Sequence, residues 1–71
     1  MRPAIASIVD TYVRHGNRPA LLELWRIRSN LKGKFETLAG GYDPSMVLGQ
    51  LEDEMAIIEA GIAKLFSAAA A

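Results

Sequence analysis

Cysteine is absent from this chain, so neither a disulfide nor a thiolate metal site can hold it together. The single histidine, His15, cannot make a zinc site alone. No charge surplus exists either, because eight Lys and Arg balance eight Asp and Glu. That balance weighs against a nucleic-acid module, whose surface is normally basic. No apolar run reaches the ~18 residues that a membrane-spanning helix needs. Asp10 and Arg14 interrupt the apolar stretch behind Met1-Arg2-Pro3, so no signal peptide reads there. A chain of 71 residues builds a core that rarely yields more than ~3–5 kcal/mol. Disulfides and thiolate metal sites being excluded, oligomerisation is the support that remains. The expectation is one soluble, cytoplasmic domain over residues 1–71, with no membrane segment and no cofactor, that works as a homo-oligomer, a dimer first of all.

What is present is a heptad stripe. Leu48, Leu51, Met55, Ile58, Ile62 and Leu65 recur at alternating spacings of three and four. Upstream, Leu21, Leu24, Leu31, Phe35 and Leu38 keep the same rhythm, with Arg28 in the one missing apolar place. Gly40-Gly41-Tyr42-Asp43-Pro44 separates the two runs. Two amphipathic helices, a reversal and an antiparallel seam follow from this pattern. The fold class is therefore all-α: a short N-terminal helix plus a long antiparallel helical hairpin, assembling into a homodimeric helical bundle.

Helix boundaries come from local chemistry. Ile5, Ile8, Val9, Tyr12 and Val13 share a face and place a first helix at about 3–15, with Pro3 in its first turn. Gly16 supplies the left-handed residue that closes many helices. Asn17 is an N-cap candidate and Pro19 suits the first turn of a helix over about 18–39. Asp43 and Pro44 announce a third helix over about 44–66. Ser67 and the four closing alanines are expected to form a frayed tail over 67–71.

Charge agrees with the hairpin. Residues 1–39 carry seven Lys and Arg against three acids, whereas residues 40–71 carry one lysine against five acids. If Leu38 pairs with Leu48, Phe35 with Leu51, Leu31 with Met55, Leu24 with Ile62 and Leu21 with Leu65, every pair keeps one index sum. Lys32 then falls near Glu52, and Lys34 near Glu54, flanking the seam where coiled coils place charge.

Candidates for chemistry do not converge. His15 has no visible nucleophile or orienting acid, and it reads as a cation near a helix C-terminus. Glu52, Asp53 and Glu54 are consecutive, so on a helix they point apart and read as a solvated acidic face. No Gly-rich phosphate loop is present. The expectation is no catalytic residue, no cofactor-binding residue and no metal ligand. Arg14, His15 and Arg18 flank a tight turn, and helix two adds Arg26, Arg28, Lys32 and Lys34. This supports an alternative reading, a nucleic-acid-associated regulator using the basic turn and helix two.

The surplus of apolar residues carries the leading reading. Leu22, Trp25 and Ile27 lie off the seam on helix two, and Ile57 and Phe66 off it on helix three. Tyr12 and Arg28 join them as interface candidates. A monomer rarely exposes so much apolar surface. A short first helix covers part of it, and a second copy the rest. Trp25 is expected to be mostly buried, since tryptophan anchors interfaces. The function expected is that of a small non-enzymatic interaction or structural protein, an adaptor or regulatory subunit acting through helical surfaces on a protein partner.

Overall fold

The structure, a computed structural model, describes residues 3–37 and 43–70, with side chains to Ser67. Among these residues all regular structure is helical: α1 (Ala4–Arg14), α2 (Arg18–Thr37) and α3 (Ser45–Ala70). Leu38 and the Gly40–Tyr42 part of the reversal lie outside the described residues.

Short-range chemistry sets the ends. After α1, the Gly16 N–H donates to the Val13 carbonyl (3.1 Å) and the Asn17 N–H to the Tyr12 carbonyl (2.9 Å). These two bonds form a Schellman closure, which needs a left-handed residue; Gly16 supplies it at φ +64°. Asn17 then opens α2, its Oδ1 accepting the Ala20 N–H at 3.2 Å. Asp43 Oδ1 accepts the Ser45 N–H at 3.0 Å, and the Pro44 carbonyl accepts the Leu48 N–H at 2.8 Å. α3 does not stop near Phe66 but continues to Ala70. Alanine loses no side-chain entropy in a helix, so the expected frayed tail extends the helix instead.

The core is small. Ile5, Ala6 and Val9 of α1, Leu21 of α2, and Leu51 and Ile58 of α3 are buried, Leu21 and Ile58 completely. Tyr12, Val13, Leu24, Trp25, Ile57, Ile62 and Leu65 pack around Ile5, Val9, Leu21 and Ile58. Each fully buried aliphatic side chain contributes about 1.5–3 kcal/mol. α1 reaches α3 through Gly61: a Cβ built there would lie 2.5 Å from Val9 Cγ1 and 3.3 Å from Val13 Cγ2. The missing side chain lets the two helices approach.

Two expectations on facing are corrected. The sequence pattern puts Ile8 on the inner face of α1, yet it is 43% exposed. The close approach at Gly61 brings Val9 and Val13 against α3, and Ile8, the residue before Val9, falls to the edge. The heptad pattern puts Leu31 on the seam, yet it too is exposed. The cause is length. Eleven residues make α1 about 16 Å long, and the twenty residues of α2 make about 30 Å. α1 therefore covers only part of the α2–α3 pair, and beyond it Leu31, Phe35, Val47 and Leu48 remain partly or largely open.

Candidate interaction surface

Among the described residues, four polar or cation–π pairs tie α2 to α3. The Arg18 guanidinium stacks 4.7 Å from the Phe66 ring centroid. Trp25 Nε1 donates to Glu59 Oε1 at 3.0 Å. Arg28 Nε donates to Glu54 Oε1 at 2.7 Å, and Arg28 Nη1 to the Leu24 carbonyl at 3.3 Å. Lys32 Nζ lies 3.3 Å from Glu52 Oε1. The sequence placed Glu54 near Lys34; the structure gives it to Arg28. Arg28 stands in a seam position, so its head lies over the interhelix groove, whereas Lys34 is exposed on the flank of α2.

The Arg28–Glu54 pair is shielded, with side chains 20% and 24% exposed. Its Coulomb attraction is screened less than at a free surface. Elsewhere Arg26 forks onto Glu23, Nε to Oε2 at 2.8 Å and Nη2 to Oε1. That hydrogen bond, with the charge of Arg26, holds the Glu23 carboxyl below its ordinary value. The Ser45 N–H does the same for Asp43.

The seven interface candidates divide. Tyr12, Trp25 and Ile57 pack against the chain's own core, and Arg28 is absorbed by its ion pair. Trp25 is covered over most of its surface, packed against the core, with Glu59 taking the indole N–H. Leu22 and Phe66 stay open at 48% and 60%, and so does Ile27. Ile8, Leu31 and Met46 join the exposed group, unforeseen from the sequence. Gly61 was also missed: a glycine inside an apolar helix shows only as weak helix propensity until its neighbour is known.

His15 is exposed at the C-cap of α1, its N–H bonded to the Thr11 carbonyl at 3.1 Å. An open recess of about 550 Å³ lies between α1 and α3, lined by Ser7, Asp10, Thr11, Val13, Arg14 and Lys64. The Thr11 hydroxyl there is engaged with the Ser7 carbonyl at 3.0 Å. Among the described residues no group of three His, Cys, Asp or Glu could hold a metal ion. Nor is any described helix long and apolar enough to cross a membrane. Comparison with protein-family models, with curated proteins and with solved structures gives no match.

Proposed function

We propose that this chain is a small non-enzymatic interaction protein, an adaptor or regulatory subunit, that acts through helical surfaces and self-associates. In this reading α2 and α3 form an antiparallel hairpin, α1 lies across one end of it, and a second copy completes a homodimeric helical bundle. The order of the cross-helix contacts supports the hairpin: from Arg18 through Trp25 and Arg28 to Lys32, the partners step back from Phe66 through Glu59 and Glu54 to Glu52.

The observation that carries self-association is the imbalance between core and surface. Six hydrophobic residues are buried, while Ile8, Leu22, Ile27, Leu31, Met46 and Phe66 are exposed among the described residues. A core that small is marginal by itself. Covering the exposed set adds the burial the monomer lacks. Three of the cations that the nucleic-acid alternative needs on α2, Arg26, Arg28 and Lys32, already have acidic partners, so that reading is the weaker one. Light scattering coupled to size exclusion tests the proposal. At micromolar concentration the mass should be at least twice that of the monomer, and a stable monomer there overturns it.

A further inference from the structure

Along the flank of α2 beside the seam, Glu23, Ile27, Leu31 and Lys34 follow one another at spacings of four, four and three. On a helix such spacings lay side chains in one line. All four are exposed, Ile27 and Leu31 at 42% and 39%. Half-buried Leu24 and Phe35 continue the apolar rhythm at either end. The line has an acid at one end, a cation at the other and two branched aliphatics between. Reversed end for end, it is complementary to itself, which is the requirement for an isologous two-fold contact.

We propose that two copies pair through this line, α2 against α2 and antiparallel, about a two-fold axis that crosses the line between Ile27 and Leu31. Ile27 of each copy meets Leu31 of the other, and Glu23 of each meets Lys34 of the other at both ends. The proposal rests on the self-association reading above and names its surface. The rival patch, Leu22 with Phe66, is less suited to the same partner. Arg18 and Arg26 stand four residues to either side of Leu22, so self-pairing there sets cation against cation, and like charges disfavour a contact. In the single chain Glu23 holds Arg26 in an exposed pair. That pair is bidentate, but each carboxylate oxygen keeps a second lone pair, so Glu23 can also accept from a second donor. Among the described residues no ion pair engages Lys34.

The test uses two single charge reversals in the full chain. Lys34→Glu puts acid against acid at both ends, and Glu23→Lys puts cation against cation. Each should weaken the dimer about fivefold or more in sedimentation equilibrium, a loss of the size that two exposed pairs support. An equimolar mixture of the two variants should recover wild-type association, because each copy now bears what the other lacks. In a parallel pairing the single reversals would not change the number of like-charge contacts. As a second measurement, Ile27→Cys mixed with Leu31→Cys should cross-link on oxidation more than either variant alone, since wild type has no cysteine. Far-UV circular dichroism keeps the fold in view throughout. A wild-type dimer that ignores both reversals, or cysteines that fail to cross-link, overturns this surface and leaves self-association standing. A monomeric wild type removes both.

Discussion

Arg28 stands where a helical seam takes an apolar side chain, and its ion pair explains how the position is tolerated. The stem packs in the groove, and the guanidinium meets Glu54 and the Leu24 carbonyl. Glu54→Ala removes the acid and leaves a partly desolvated cation, a change that should cost about 1–3 kcal/mol in urea unfolding. Replacing both partners, Arg28→Met with Glu54→Leu, should be close to neutral, because neither charge is then left unpaired. A near-neutral Glu54→Ala would reduce the pair to an ordinary surface contact. Two other carboxyls tie stability to pH. Glu23 and Asp43 are depressed in the folded chain, by Arg26 and by the Ser45 N–H. A group depressed on folding stabilises the fold above its unfolded pKa and loses that contribution as pH falls through the folded one. The melting temperature should therefore decline below about pH 4, where ordinary carboxyls begin to protonate. Asp43→Asn should flatten that decline, as measured by thermal melts across acid pH.

At the scale of the helix, Gly61 decides where α1 docks. Val9 is stiff about its first side-chain torsion and cannot easily turn aside from a new methyl group. Gly61→Ala should push α1 off α3 and destabilise by about 1–3 kcal/mol. Gly49 is the control. It also lies within α3, but nothing would meet its Cβ within 4 Å, so Gly49→Ala should stabilise by up to about 1 kcal/mol through helix propensity. Urea unfolding followed by circular dichroism compares the two. If both alanines stabilise, the close approach at Gly61 does not govern the docking of α1. The turn that closes α1 and the caps that open α2 and α3, in contrast, were readable in the sequence. Gly16, Asn17 and Asp43 act on neighbours within five residues, so their chemistry is already set by the local order of the chain.

At the scale of the whole molecule, the chain extends 49 Å in its longest direction and 15 Å in its shortest. A body so thin has little interior. If a second copy supplies the missing burial, stability depends on protein concentration, since association favours the folded state by mass action. The melting temperature should rise over a hundredfold increase in concentration, and a melting temperature independent of concentration would speak for a self-sufficient monomer. Trp25 offers a local reading of the same event. Its largely covered ring should give a blue-shifted emission that moves red on unfolding.

By itself the sequence determined the helical class, the three helices and their caps, and the inward phase of the α3 stripe. Helical period and capping are short-range properties, decided within a few residues. It also foretold that Lys32 and Glu52 would fall close together, because a long amphipathic pattern constrains register. Only the tertiary structure decided that Arg28 rather than Lys34 takes Glu54, and that Ile8 and Leu31 stay more than a third exposed. Those outcomes depend on how far α1 reaches along α2 and on the missing side chain at Gly61. Both are matters of contact between residues distant in the chain, which periodicity does not encode.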